Sequence, residues 1–320
     1  MGILLASLIS LISNTSTFAV WNGTQALGDK RAVPVILFPN SSCGGSGFLY
    51  SSRIVFTAGH SIFEGDDRQK AHTPELIRKA MWVGYPGSKL DRTSRRVEVE
   101  KIFYPSNYES RDAWLGGNRI TRNNDFAVLV LKTPLPVDDK KVELLTAALH
   151  DEFINSGEIV SMVGYGAQSA SDIGNCRTET IPMKFESQVI GKTVNVGSQV
   201  WTAPLNFKNG VRKPSACDGD SGSGYFKELS DKYIYLGAAG AGAKDFHNCE
   251  SNGPALDKEG IMGAWPVYLY TDLVKQAEEY VVANPYVAPV VKKSIKCVKG
   301  KKSIKVRNEN PTCPKGYKQK

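Results

Sequence analysis

Short apolar runs separated by turn residues recur along the chain and predict β-strands. Valine, isoleucine, phenylalanine and tyrosine dominate these runs, and glycine, proline, asparagine or aspartate stands between them. The predicted strands span residues 33–38, 47–50, 54–57, 97–103, 126–131, 159–164, 233–240 and 265–270. Because helical segments do not alternate regularly with these runs, the pattern favours an all-β barrel or sandwich.

Two segments are predicted to form helices. The first begins at Thr73, a favourable N-cap residue, with Pro74 at the first helical position. The second runs from about residue 271 through residue 282 and carries its apolar side chains on one side. We expect this second helix to end the main domain.

An apolar segment at residues 3–12 is too short to cross a bilayer, which needs about 20 residues. Polar residues follow it, and then Thr17-Phe18-Ala19 forms a small-x-small cleavage sequence. This order is typical of a secretory signal peptide, although an N-terminal core strand is the alternative. We therefore expect residues 1–19 to be removed, the mature chain to begin at Val20, and the protein to be secreted, extracellular or periplasmic, without a transmembrane segment.

The positive charge is concentrated at the C-terminal end. Residues 281–320 contain ten lysines and one arginine against the single acidic residue Glu309, whereas the net charge of the whole chain is only +8. This segment could hold the protein to an anionic surface or polymer, and the simpler alternative is a solvated tail. The overall composition, 41% hydrophobic and 22% charged, excludes a disordered or collagen-like chain.

The basic end has its own internal organisation. Two prolines make residues 283–291 an extended linker. The sequence Lys-Lys-Ser-Ile-Lys then occurs at 292–296 and again at 301–305 with Gly300 between, which predicts a small hairpin that Cys297 and Cys313 could staple. The predicted organisation is therefore a signal peptide (1–19), a main domain (20–282), a linker (283–291) and a basic module (292–320).

Six cysteines in a chain with an export signal favour disulfides over metal ligands. Neither the spacing Cys-x-x-Cys nor His-x-x-x-His occurs in the sequence. We therefore expect no structural metal and no cofactor.

Three short motifs carry residues that can act together in nucleophilic catalysis. They are FTAGH at 56–60, NDFAVLVL at 124–131 and CDGDSGSG at 217–224. A serine hydroxyl is a poor nucleophile at neutral pH, so it needs an imidazole to accept its proton and a carboxylate to fix the imidazole tautomer. Ser221, His60 and Asp125 supply these three groups. The N–H groups of Gly219 and Ser221 could converge on a developing oxyanion.

These motifs resemble those of trypsin/chymotrypsin-type serine endopeptidases. The order His, Asp, Ser is that of this family and differs from the orders of subtilisin-like enzymes and α/β-hydrolases. The segments 43–48 and Gly164-Tyr165-Gly166 are also similar to family sequences, and the resemblance covers about residues 20–282. It implies two six-stranded antiparallel barrels with the triad in the cleft between them, and hydrolysis of protein or peptide substrates through an acyl-enzyme.

The resemblance also implies roles for residues around the triad. Asp220 would pair with the mature N-terminus at Val20, Ser215 would form the floor of the primary specificity pocket, and Gly242 would line that pocket. Cys217 and Cys249 match the family bridge beside the pocket.

One departure concerns the remaining cysteines. Ser61 stands where the family usually has a cysteine bonded to the equivalent of Cys43. With the other pairs assigned, Cys43 and Cys176 are left as the third bridge.

Simpler interpretations exist for each catalytic candidate. His60 could be a buried core histidine, Asp125 a strand cap and Ser221 an ordinary loop serine. At the level of the whole protein, the alternatives are an inactive homologue that uses the barrels as a binding surface and a polymer-binding protein whose functional part is the basic tail.

Overall fold

The structure is a computed structural model of the chain. It describes residues 23–37, 44–62, 80–108, 114–115, 118–119, 124–166, 179–193, 199–204, 214, 216–217, 219–242, 262–289 and 292–320. The chain divides into two compact units, the first ending at Ala283 and the second spanning Asn284–Lys320.

Strands dominate the described part of the first unit. They are β1 Thr24–Gln25, β2 Ala32–Ile36, β3 Gly44–Ser51, β4 Ile54–Thr57, β5 Trp82–Gly84, β6 Leu90–Asp91, β7 Arg96–Phe103, β8 Trp114–Leu115, β9 Asn118–Arg119, β10 Ala127–Leu131, β11 Lys141–Leu144, β12 Ile159–Gly164, β13 Glu179–Thr180, β14 Met183–Thr193, β15 Gln199–Pro204, β16 Gly224–Glu228, β17 Lys232–Gly242 and β18 Met262–Pro266. Two α-helices, α1 Ala147–Ser156 and α2 Thr271–Ala283, accompany them.

Six strands close the first barrel in the order β10-β4-β3-β2-β5-β7. Every residue of β10 is buried, because Leu129 packs into the interior of this barrel while Val128 packs outward against the core cluster shared with the second sheet. A strand that is buried on both faces shows no alternation of polar and apolar residues. This explains the uninterrupted apolar run at 126–131.

The second sheet also closes on itself. It runs in the order β1-β14-β12-β16-β17-β18-β15, and an additional pairing between β14 and β15 closes the six strands after β1 into a ring. Strand β11 pairs in parallel with β17 outside this ring. The predicted all-β fold with two barrels and a C-terminal helix is therefore confirmed.

Several element boundaries differ from the prediction. The strand predicted at 265–270 ends at Pro266, and Val267–Leu269 form a 3-10 helix. Proline lacks the N–H that a continuing ladder needs, so the strand stops there. Residue 126 precedes β10 rather than beginning it, and β2 ends at Ile36. The helix predicted at Thr73 lies outside the described residues.

Helix α1 was not predicted from the sequence, because its apolar periodicity is weak. Its ends do carry the usual signals. The side chain of Thr146 accepts a hydrogen bond from the N–H of Leu149 at 3.2 Å, and Gly157 ends the helix with a left-handed φ of 62°. Helix α2 matches its predicted range to within one residue. Neither helix of the described residues is long and apolar enough to span a membrane.

The second unit is a three-stranded antiparallel sheet in the order β20-β19-β21, formed by β19 Lys293–Lys299, β20 Lys302–Asn308 and β21 Lys318–Gln319. The turn between β19 and β20 falls at Gly300, as the repeat predicts. A disulfide joins Cys297 to Cys313, as predicted. A unit of this size needs such a cross-link, because it is too small to bury a large core.

Candidate active site

Strand pairing brings the histidine and aspartate motifs together. Strands β4 and β10 are antiparallel, with Thr57 opposite Ala127. His60 follows Thr57 and Asp125 precedes Ala127, so both residues extend beyond the same end of this strand pair. His60 lies in a short 3-10 helix, Gly59–Ile62, directly after β4.

Asp125 is fully buried and makes two hydrogen bonds to His60. Its Oδ1 accepts the backbone N–H of His60 at 2.6 Å, and its Oδ2 lies 2.8 Å from the ring Nδ1. The backbone contact fixes the carboxylate relative to the ring. With the Nδ1 proton directed at the carboxylate, the other ring nitrogen, Nε2, is the one that can accept a proton. The His60 side chain is 15% exposed.

The turn before Asp125 has an unusual backbone conformation. Asn124 has a φ of 54°, the only positive φ of a non-glycine residue in the described part of the chain. Its side chain is bound on both sides, by the hydroxyl of Tyr270 at 3.3 Å and by the carbonyl of Asn107 at 3.2 Å. Asparagine tolerates this conformation better than most residues, and these contacts hold it in place.

Tyr270 supports the turn that carries Asp125. Its ring stacks on Phe126 with centroids 4.7 Å apart. Burial, together with the charge of Asp125, raises the pKa of the Tyr270 phenol, so the hydroxyl stays protonated and can donate to Asn124.

The serine motif is held by backbone hydrogen bonds to both barrels. The carbonyl of Ser221 accepts the N–H of Ser46 on β3 at 2.8 Å, and the N–H of Gly222 donates to Ala239 on β17 at 2.7 Å. Two tight turns shape the motif: the N–H of Asp220 donates to the carbonyl of Cys217, and the N–H of Ser223 donates to the carbonyl of Asp220. Ser221 thus stands between the first barrel and the second.

Asp220 is fully buried, and two backbone N–H groups bind its carboxylate. Gly166 donates to Oδ1 at 2.7 Å and Cys217 donates to Oδ2 at 2.8 Å. Hydrogen bonds from N–H groups stabilise a buried carboxylate and fix the turn that it belongs to. Gly164 and Gly166 lie so close to this carboxylate that a Cβ at either position would overlap it. This contact explains the glycines of the Gly-Tyr-Gly segment.

The contacts of Ser46 were not predicted from the sequence. This residue is fully buried, and its hydroxyl donates to the carbonyl of Gly219 at 3.0 Å while accepting the N–H of Tyr165 at 2.8 Å. Its own carbonyl accepts the hydroxyl of Thr57 at 2.8 Å. Ser46 therefore contacts the histidine motif, the serine motif and the Gly-Tyr-Gly segment. A serine in a glycine-rich strand carries no local sign of these distant contacts.

Gly45 lies beside Ser61. A Cβ at Gly45 would lie 3.3 Å from the Ser61 hydroxyl oxygen. The hydrogen bond from the Ser46 N–H to the Ser221 carbonyl fixes this part of β3 and so places Gly45 next to the 3-10 helix of His60. The pairing of Cys43, which lies outside the described residues, stays a prediction.

Gly240 lies against the catalytic aspartate candidate. A Cβ at this position would lie 2.7 Å from Asp125 Oδ2 and 3.0 Å from Trp265 Cδ1. Strand β17 can approach the carboxylate this closely only because residue 240 has no side chain.

Comparison with protein families agrees with this arrangement. The family model described as Trypsin matches residues 21–256, more than two thirds of the chain. The chain belongs to the trypsin family. The comparison with curated proteins finds no matching sequence. At family level the protein is a trypsin-like serine protease, a class that acts on protein substrates.

Other residues expected from trypsin-family proteins fall outside the described residues. These residues are Val20, Ser215, Cys43, Cys176 and Cys249. Cys217 is disulfide-bonded, and the described residues do not include its partner. Gly242 ends strand β17, two residues beyond Gly240. Within the described ranges, no three His, Cys, Asp or Glu side chains are grouped as metal ligands would be.

Proposed function

We propose that this trypsin-family protein is a secreted serine endopeptidase with Ser221 as nucleophile, His60 as general base and Asp125 as the residue that orients the imidazole. The main support is the double contact of Asp125 with the backbone N–H and the Nδ1 of His60. A carboxylate bound in this way fixes the tautomer in which Nε2 can accept the serine proton.

The proposed reaction proceeds through an acyl-enzyme. Ser221 Oγ attacks the peptide carbonyl carbon while its proton moves to His60 Nε2, and the oxyanion receives hydrogen bonds from the N–H groups of Gly219 and Ser221. The C–N bond then breaks, and the departing amine takes the proton from His60. Water, deprotonated by His60, cleaves the ester and releases the carboxylate product with the serine restored.

Covalent labelling by a fluorophosphonate probe tests this proposal. The wild-type protein should be labelled at one serine and should lose peptidase activity, and Ser221→Ala should take up no label. A folded wild-type protein that neither reacts with the probe nor hydrolyses a peptide library would instead be the inactive homologue that acts as a binding protein.

Export is a separate part of the proposal. It is supported by the order of apolar, polar and small residues at 1–19, which is typical of a signal peptide. We expect the mature protein to start at Val20, and N-terminal sequencing of secreted material tests this. A start well away from Val20 in active protein would contradict it.

The α-amino group of Val20, exposed by removal of the signal peptide, would pair with Asp220. The Asp220 carboxylate is buried in the turn that precedes Ser221, so an ion pair there would affect the geometry of the N–H groups that bind the oxyanion. Activation would then need no cleavage beyond removal of the signal peptide.

We expect that the enzyme does not require lysine or arginine as the substrate residue immediately before the scissile bond. By resemblance, Ser215 forms its floor and Gly242 its wall, and a hydroxyl cannot neutralise a buried ammonium or guanidinium group. We expect preference for an apolar or aromatic residue. A peptide-library profile dominated by arginine would contradict this.

The basic module would add affinity for an anionic surface or polymer. Its residues from Lys292 onward carry ten lysines and one arginine with a single glutamate.

A further inference from the structure

The strand register of the second unit separates its side chains onto two faces. Directly paired residues lie on the same face of an antiparallel sheet, and successive residues of a strand alternate between faces. Cys297 pairs with Ile304, and Ile295 pairs with Val306. This face contains the buried Cys297 and its disulfide at its centre, and it carries the exposed Lys293, Lys299 and Lys302 at the strand ends. Its apolar centre is the small core of the unit.

The opposite face is cationic. Lys296 pairs directly with Lys305, Ser294 with Arg307, and Val298 with both Ser303 on β20 and Lys318 on β21. The four cations of this face are all exposed. We call this set, Arg307, Lys305, Lys296 and Lys318, the cationic stripe.

The stripe crosses the sheet diagonally. Arg307 and Lys305 are two residues apart on β20, Lys296 is beside Lys305 on β19, and Lys318 is diagonal to Lys296 on β21. Neighbouring cations are thus about 5 to 8 Å apart at the backbone, and the path through all four is roughly 20 Å. A row of this shape matches a linear polymer better than a single small anion.

Like charges placed directly opposite each other destabilise a sheet. A solvent-facing surface could avoid this cost with mixed charges or neutral polar residues, yet the only acidic residue of the unit is Glu309, which follows β20. Binding of anionic groups between Lys296 and Lys305 would remove the repulsion.

The remaining residues of this face narrow the class of polymer. They are Ser294, Ser303 and Val298. Stacking of unpaired nucleic-acid bases needs aromatic side chains, and insertion into a membrane interface needs several large apolar ones. The seven strand residues of this face include no aromatic residue and one apolar residue, Val298, so they favour neither ligand. The two serine hydroxyls can instead bond the hydroxyl groups of sugars.

We propose that the cationic stripe binds a linear acidic polysaccharide, whose carboxylate, sulfate or phosphodiester groups would contact the lysine and arginine side chains. The proposal rests on export, because such polymers belong to cell surfaces and their surroundings. It does not depend on peptidase activity, which is measured separately. Binding would keep the protease at the surface or material that contains the polysaccharide, while the first unit acts on protein substrates.

The test compares two variants of the full-length protein that lose the same charge. Lys296→Gln/Lys305→Gln removes the centre of the stripe. Lys293→Gln/Lys302→Gln removes two lysines from the same strands, both exposed and both on the opposite face. Retention of the disulfide and an unchanged rate on a small peptide report that both variants are folded.

Affinity is measured by titration with heparin, with polygalacturonate and with single-stranded oligothymidylate at several salt concentrations. The stripe variant should bind the two polysaccharides at least tenfold more weakly, with the slope of log affinity against log salt reduced by about 1 to 2. The control variant should stay within about twofold of wild type.

Three outcomes would overturn the proposal. Equal losses in the two variants would mean that only the total charge of the unit matters. Tighter binding of oligothymidylate than of either polysaccharide, with the same dependence on Lys296 and Lys305, would identify a nucleic-acid surface. Absence of binding to both polysaccharides at low salt would leave the stripe without this role.

Discussion

The hydroxyl group of Ser46 donates a hydrogen bond to the carbonyl oxygen of Gly219 at 3.0 Å. The N–H of the same serine binds the carbonyl of Ser221 at 2.8 Å. Gly219 and Ser221 are the two residues whose N–H groups we propose as oxyanion donors. A single buried residue on β3 therefore binds the carbonyls of both residues, one through its side chain and one through its backbone N–H.

Replacing Ser46 by alanine should lower kcat at least tenfold with a smaller change in KM. The change leaves the carbonyl of Gly219 and the N–H of Tyr165 without this partner in a buried place, which costs about 1 to 3 kcal/mol for each unpaired group. The loosened turn should stabilise the oxyanion less well. Steady-state kinetics together with the rate of fluorophosphonate labelling provide the measurement.

Ser187→Ala is the matched control for Ser46→Ala. Ser187 is also buried on a strand, and its hydroxyl has no hydrogen-bond partner among the residues that the structure describes. This variant should keep wild-type kinetics. If Ser46→Ala loses activity only in proportion to its unfolded fraction, Ser46 contributes to stability alone.

Asp125→Asn should reduce kcat by about three to four orders of magnitude while the protein stays folded. An amide cannot accept both the His60 backbone N–H and the Nδ1 proton as the carboxylate does, so the imidazole loses its favoured tautomer.

Ser221→Ala and His60→Ala should each reduce kcat at least as severely as Asp125→Asn. Their double variant should be no worse than either single change, since the residues act as one unit. Additive losses would argue against a shared triad.

Gly240→Ala should impair catalysis through Asp125. The new methyl group would lie 2.7 Å from Asp125 Oδ2, so the carboxylate or strand β17 must shift. We expect a loss of at least tenfold in kcat. Gly28→Ala is the control, because a Cβ there meets no atom within 4 Å although the backbone φ is 83°. That variant should lose some stability and keep its kcat; unchanged kcat in Gly240→Ala would contradict the prediction.

Activity should fall at alkaline pH if the amino group of Val20 pairs with Asp220. An unperturbed α-amino group has a pKa of about 7.7 to 8, and pairing with a carboxylate raises it. The pair is intact below the raised pKa and is lost as the pH rises through it, so kcat/KM should fall there. Asp220→Asn should be poorly active at every pH. A wild-type profile that stays flat to pH 11 would show that the amine is not required.

The disulfide of the second unit should determine its folding. Cys297 and Cys313 are 16 residues apart, and a loop of this length contributes roughly 3 kcal/mol in the chain-entropy model. Cys297→Ser/Cys313→Ser should therefore abolish protection of the β19 and β20 amides from hydrogen exchange. Peptide hydrolysis should be unaffected. Protected amides in the double variant would show that the small core is sufficient.

Local patterns in the sequence determined the elements that depend on neighbouring residues. Helix α2, the hairpin around Gly300 and the strands β2, β3, β4, β7, β10, β12 and β17 could be predicted, because side-chain periodicity and turn residues act over a few positions. Strands β14, β15 and β16 were not predicted. The three motifs also indicated the trypsin family, because each is a short contiguous stretch. The triad roles themselves, export and N-terminal pairing stay predictions.

Tertiary structure alone decided which residues surround the site. Ser46 contacts Tyr165 and Gly219, which are 119 and 173 residues away in the sequence. Gly240 contacts Asp125 only because β17 lies beside the turn that precedes β10. The same holds for Gly45, which lies beside Ser61. Such contacts join strands that are distant in the chain, so no local pattern encodes them, and only the closure of both barrels brings these atoms within hydrogen-bond distance or van der Waals contact.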